Sequence, residues 1–145
     1  MLSYIKSLFP FRKQKGFYYL SLLKESNGWS IHGLWPQTTE TDYPTYCRTV
    51  EFDIKKLDSI MDELNRFWYS TEEKNEEFWK HEWQKHGSCM YNKCDEFDYF
   101  DRALTLYNEA IFQQLPYEFY DEKTGKCLIP VDLNFNFIKK SMPCV

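Results

Sequence analysis

The sequence predicts an α+β fold. Residues Phe17 to Lys24 (FYYLSLLK) form an aromatic, apolar run of strand type. Three later stretches carry apolar residues at helical intervals, and Val131, Leu133, Phe135 and Phe137 alternate with Asp132, Asn134 and Asn136 in a strand period. Helices and strands that fall in separate blocks of a chain suit α+β architecture.

Taken in order, the first strand leads to Asn27-Gly28, a turn signal. The block Trp29-Ser30-Ile31-His32-Gly33-Leu34-Trp35-Pro36 follows, with Gly33 and Pro36 breaking the strand pattern close to His32. Thr38 to Tyr46 reads as a polar loop. Asp53 is placed to cap a helix bearing Ile54, Leu57, Met61, Leu64 and Trp68. Ser70 with Glu73 matches a capping box and Gly87 a helix stop, which predicts a largely helical Thr71 to His86. Asp95 opens a third helix through Phe97, Phe100, Leu104, Tyr107, Ile111 and Leu115, ended by Pro116.

The 145 residues fit one domain, 17–145, preceded by a basic segment, 1–16, with Lys6, Arg12, Lys13 and Lys15 and no acid. That segment makes a poor signal peptide, since Lys6 and Pro10 interrupt its apolar stretch. No run approaches the ~18 apolar residues of a membrane span. The net charge of −4 argues against a tight, sequence-indifferent nucleic-acid binder. An enzyme that must release a polymer product needs no such basic surface. The 11 Tyr, 12 Phe and 5 Trp suit a core first, and base stacking second. The five cysteines lack zinc spacing, and their odd number leaves at least one outside any intramolecular bridge.

All three histidines sit in two short blocks, the one above and Phe78-Trp79-Lys80-His81-Glu82-Trp83-Gln84-Lys85-His86-Gly87. Histidine titrates near neutral pH, so this concentration points to acid–base chemistry. At about 100° per residue, a helix puts His81 with Lys85 on one face and Glu82 with His86 on the next. Glu82 is thereby expected to orient the His86 ring, and Lys85 to aim a positive charge into the same space. A zinc-protease helix needs two histidines at i and i+4. Here the interval is five, which argues against a metal site. Two imidazoles with a cation between them suit RNA cleavage by its own 2′-hydroxyl, although spacing alone does not choose RNA over another substrate.

His32-Gly33-Leu34-Trp35-Pro36 and Phe78 through Cys89 resemble the two active-site segments of the ribonuclease T2 family. Weaker similarity reaches Trp68, Tyr99-Phe100 and Ala103-Leu104, so roughly residues 17 to 115 can be matched. The resemblance implies a central antiparallel sheet with packed helices. It implies His86 as general base, His32 as general acid, His81 as a phosphate binder, and Glu82 and Lys85 as stabilisers of the transition state. Trp35 would stack on the base 5′ to the cut, with Tyr43 and Phe78 as further candidates. It also implies single-stranded RNA as substrate, no cofactor or metal, a monomer, and a secreted or lysosomal–vacuolar setting. Cys47 would pair with Cys89 and Cys127 with Cys144, leaving Cys94 over.

The chain departs from the family pattern in three places. Leu22 to Asn27 has neither the usual cysteine nor the aromatic-proline pair, the stretch from Leu115 to Cys127 is short, and Gln37 stands where an acid often reads the base. These departures keep a second expectation open, a catalytically impaired ribonuclease-like module that binds RNA or protein.

Overall fold

Alternation along Phe17–Glu25 (β1) buries Tyr18, Leu20 and Leu22 on one side. In the computed structural model, which describes residues 16–139, this strand turns at Gly28 into β2 (Gly28–Gln37). Gly28 has φ 155, a backbone conformation that residues with side chains rarely adopt, which suits glycine at this turn. A 3₁₀ segment (Ile54–Ile60) runs into α1 (Met61–Phe67). Then come α2 (Asn75–Lys85), a 3₁₀ turn (Gly87–Cys89), α3 (Glu96–Phe112), α4 (Leu115–Phe119), β3 (Tyr120–Asp121) and β4 (Lys126–Val131). The sheet is antiparallel, in the order β2-β1-β4-β3.

One face of the sheet carries Tyr18, Leu20, Ile31, Leu34, Ile129 and Val131 into a core shared with Trp68, Tyr99, Phe100 and Ala103 from the helical side. The aromatic excess has a second use there. β2 is an edge strand, and its outward carbonyls accept side-chain hydrogen bonds. Tyr107 Oη donates to Trp29 O at 2.6 Å, Trp68 Nε1 to His32 O at 3.2 Å, and Tyr99 Oη to Leu34 O at 2.9 Å. Rings from the helices thus close a sheet edge that would otherwise leave polar groups unpaired in the interior.

Several expectations change. The first histidine block is not a break in the strand but part of β2, because the edge position tolerates Pro36 and a bulge absorbs the extra residue. The capping pair acts as a local turn. Ser70 Oγ accepts from the Glu72 and Glu73 amides, and α2 starts later, at Asn75. Asp53 and Asp95 do cap, accepting from Lys55 and Asp98, but Asp53 opens a 3₁₀ segment before α1. α3 stops at Phe112, where Gln114 takes a left-handed conformation (φ 59). Pro116 begins the next helix instead of ending this one.

The alternating stretch after Val131 is a turn. Asp132 Oδ1 accepts from the Asn134 and Asn136 amides, Phe135 has φ 64, and only a single bridge joins Val131 to Phe137. Asparagine and aspartate side chains that bond their own backbone overrode the strand period. Cys127 is a free, fully buried thiol on β4, with Sγ 3.8 Å from Pro116 O. The partner expected for it, Cys144, lies outside the described residues, as does segment 1–15.

Candidate active site

The position of His32 follows from one irregularity in pairing. Ser21 pairs with Gly33 and Leu22 with Ile31, so His32 is the additional residue of a β-bulge. Core-facing Ile31 and Leu34 are therefore three apart instead of two. Both His32 and Gly33 fall on the opposite side of the sheet, and His32 projects half-buried into a cleft of about 690 Å³. α2 brings the second block to the same cleft. Glu82 is buried, Lys85 half-buried and His81 exposed, and His86 caps the helix with its amide bonded to Glu82 O at 3.0 Å.

Trp35 joins the two blocks. Its ring stands edge-on to His32 (centroids 5.0 Å) and stacks on His86 (5.2 Å, 30° between planes). Its Nε1 donates to Glu82 Oε1 at 2.8 Å. Gly33 makes that bond possible, because a Cβ there would strike both the Glu82 carboxylate and the indole nitrogen. The expectation that Glu82 orients His86 is thereby corrected. The carboxylate is turned to Trp35, the His86 ring is held by stacking, and His86 Nδ1 is buried without a hydrogen-bond partner among the described residues.

Burial and clustered charge set the protonation of this group. His86 is pushed down to about 3, first by desolvation and then by Lys85, His81 and His32. His32 is lowered for the same leading reason, with His81 and Lys85 adding and Glu72 opposing. Glu82 rises to about 7 because burial outweighs the Trp35 hydrogen bond and the Lys85 charge, both of which lower it. The resting cleft thus holds a neutral His86 beside a carboxyl that is protonated in mild acid. Such a pair can take a proton and donate a hydrogen bond without presenting net negative charge.

The base-stacking candidates separate. Tyr43 is 51% exposed at the cleft mouth, 6.1 Å from His86. Phe78 is buried and supports the His32 ring at 6.0 Å, outside the cleft lining, so it offers no face to a base. Trp35 is engaged within the cluster itself. Cys47 and Cys89 form a disulfide that ties the Tyr43 loop to the end of α2, helped by Tyr46 N to Lys85 O at 2.9 Å and Cys47 N to Ser88 Oγ at 3.0 Å. Cys94 is a half-buried free thiol. Among the described residues no group of three His, Cys, Asp or Glu side chains could hold a metal ion, and no helix is long and apolar enough to cross a membrane.

Gln37, flagged in the sequence as a base-reading position, lines the cleft beyond Trp35, but sequence reasoning missed the rest of its wall: Tyr19 and Ser21 on β1, Glu40, and Thr124 to Lys126 in the β3–β4 turn. Only the sheet's strand order brings that turn to the histidines, and no local pattern marks it.

The profile of the Ribonuclease T2 family matches residues 12–117. The chain belongs to the ribonuclease T2 family. Ribonuclease DdI of Dictyostelium discoideum is 38% identical over 88 residues, 59% of this chain and 40% of that protein. A ribonuclease-like storage protein of Panax ginseng is 36% identical over 82 residues, 55% of this chain and 34% of its own. Among solved structures, an RNase MC1 variant in complex with 5′-GMP superposes with a TM-score of 0.67 at 21% identity, covering 88% of this chain and 95% of that one. That likeness speaks for the T2 fold. The chain spans about two fifths of the length of the first curated ribonucleases it matches.

Proposed function

We propose that this T2-family chain is a metal-independent endoribonuclease acting on single-stranded RNA. The observation that carries the reading is the placement of His32 and His86 against one indole, on one cleft, 5.0 and 5.2 Å from Trp35. His86, neutral because it is buried, removes the proton of a ribose 2′-hydroxyl. The 2′ oxygen bonds to the adjacent phosphorus, the bond from phosphorus to the 5′ oxygen breaks, and protonated His32 supplies that oxygen's proton. Products are a 2′,3′-cyclic phosphate and a 5′-hydroxyl. Water then opens the ring to a 3′-phosphate, with the two imidazoles exchanging roles.

Lys85 places positive charge beside the phosphoryl oxygens and His81 offers them a ring N–H, while protonated Glu82, its Oε1 fixed by Trp35, donates to one of them. Tyr43 is the ring open for stacking on a base. The decisive experiment incubates the protein with defined oligoribonucleotides in excess chelator and weighs the products. Cyclic-phosphate and 5′-hydroxyl ends are expected, with a deoxy oligomer left intact. His32→Ala and His86→Ala should each slow cleavage by about 10²–10⁴-fold. Products with 5′-phosphate ends, or activity abolished by chelator, would sink the reading.

The ginseng relative's name favours a second reading, a ribonuclease-like module that binds RNA or protein without turnover. In that case the same assay recovers the oligomer whole.

A further inference from the structure

The catalytic cleft does not end at the histidines. It continues across the sheet to the β3–β4 turn, where Thr124, Gly125 and Lys126 line its far wall. The register gives the path. Gly33 on β2 pairs with Ser21 on β1, and Ser21 pairs with Leu128 on β4. His32, bulged beside Gly33, heads this row. Lys126 lies two residues from Leu128 and so shares its face. Strands about 4.8 Å apart put β4 about 10 Å from β2. A stacked nucleotide step covers only about 3.4 Å, so an RNA strand seated at His32 and continuing over the sheet meets the turn within a few nucleotides.

We infer that the β3–β4 turn is a second phosphate subsite, in which Lys126 and Thr124 hold a phosphodiester of the RNA strand 3′ to the scissile phosphate. This rests on the ribonuclease reading of the histidine cleft, and that reading fixes the direction. His32 serves the departing 5′ oxygen, which belongs to the downstream nucleotide, so the downstream strand leaves on the side of the His32–Ser21–Leu128 row. The other exit, past Trp35 and Tyr43, carries Glu40, an acid that repels phosphate.

The turn is built to admit an anion. Lys126 is exposed, and its cross-strand neighbour Asp121 accepts from the Lys123 amide at 2.9 Å. Thr124 Oγ1 accepts the Lys126 amide at 3.3 Å, which leaves its hydroxyl proton to donate outward. Gly125 has φ +73 and open space above it, so a phosphate can approach the backbone closely. Between turn and histidines, half-buried Leu128 and 37%-exposed Leu23 give an apolar floor for a sugar or base.

The test measures binding of uncleavable 2′-O-methyl oligonucleotides by fluorescence polarisation, comparing a dinucleotide with versions extended by two nucleotides on either side. The 3′ extension should tighten binding more than the 5′ extension. Its added affinity should weaken about 3-fold per phosphate contact as salt rises from about 50 to 200 mM. Lys126→Gln should erase the 3′ gain and its salt dependence, and Lys126→Arg should keep both. An equal 3′ gain in Lys126→Gln, or a gain confined to 5′ extension, would overturn the subsite. The ribonuclease reading is judged separately, by whether the 2′-hydroxyl form of the same oligomers is cut, and the binding comparison stands either way.

Discussion

The indole of Trp35 donates its N–H to Glu82 Oε1 at 2.8 Å while its face lies on His86, so one side chain positions both a carboxyl and an imidazole of the cleft. Trp35→Phe keeps a ring to stack and removes only the donor. Glu82, already raised to about 7, loses the hydrogen bond that lowers it and rises further. The lost bond fixed a neutral carboxyl, and a bond of that kind is worth about 0.5–1.5 kcal/mol, which corresponds to a fall of roughly 2- to 10-fold in kcat. Steady-state kinetics on a dinucleotide separate this effect from base binding: a change confined to KM would show that Trp35 serves only as a stacking platform.

The pH profile of kcat/KM should be bell-shaped and displaced to acid. Cleavage requires His86 neutral, a condition met above about 3. It also requires His32 protonated, a condition lost as pH rises through a value below the ordinary 6.5, because burial disfavours its charge. The falling limb therefore lies on the acid side of 6.5. Ionisation of Glu82 near 7 adds negative charge beside the phosphate and deepens the fall. A maximum above pH 7.5 in a rate series on a uniform substrate would contradict this protonation order.

Glu82→Gln tests the protonation state of the carboxyl directly. Glutamine keeps an oxygen for Trp35 Nε1 and offers an N–H toward the phosphoryl oxygens, as the protonated acid does. Activity near pH 5 should stay within about tenfold of the parent, since the exchange of one neutral hydrogen-bond pattern for another costs about 0.5–1.5 kcal/mol. The parent's decline on titration of Glu82 should flatten in this variant. Glu82→Ala leaves both the indole N–H and the phosphoryl oxygen without a partner and should lose more. Equal losses for Gln and Ala would mean that the carboxyl acts only when charged.

What could be read from the chain was the local chemistry. The helical spacing of Glu82, Lys85 and His86 and the strand alternation of β1 depend on neighbours within a turn or two, and both are present in the fold. The bulge at His32 was not legible, because it exists only in the pairing of Ser21 with Gly33 and Leu22 with Ile31. Nor was the Trp35–Glu82 bond, which spans 47 residues and needs the space left by Gly33. The false strand after Val131 failed for a local reason: Asp132 ties the following amides into a turn more strongly than alternation favours extension. Thr124 to Lys126 carried no signal at all, since only the β2-β1-β4-β3 order brings them to the cleft.

The Cys47–Cys89 bridge should matter for both stability and activity. It closes a loop of sequence separation 42, worth about 4 kcal/mol in the chain-entropy account. Cys47 is exposed, so a reductant can reach the bond in the folded protein. The bridge also pins the Tyr43 loop to the helix end that carries Lys85 and His86, alongside the Tyr46 and Cys47 amide bonds. Cys47→Ser/Cys89→Ser should lower the urea midpoint by roughly 1–4 M, given slopes of about 1–3 kcal/mol/M. In buffer without denaturant, where the fold persists, KM should rise more than kcat falls, because the histidines remain anchored to β2 and α2 while the Tyr43 ring loses its fixed place. An unchanged midpoint after reduction would remove the bridge from the stability account. A selective loss of kcat would instead assign it to holding His86.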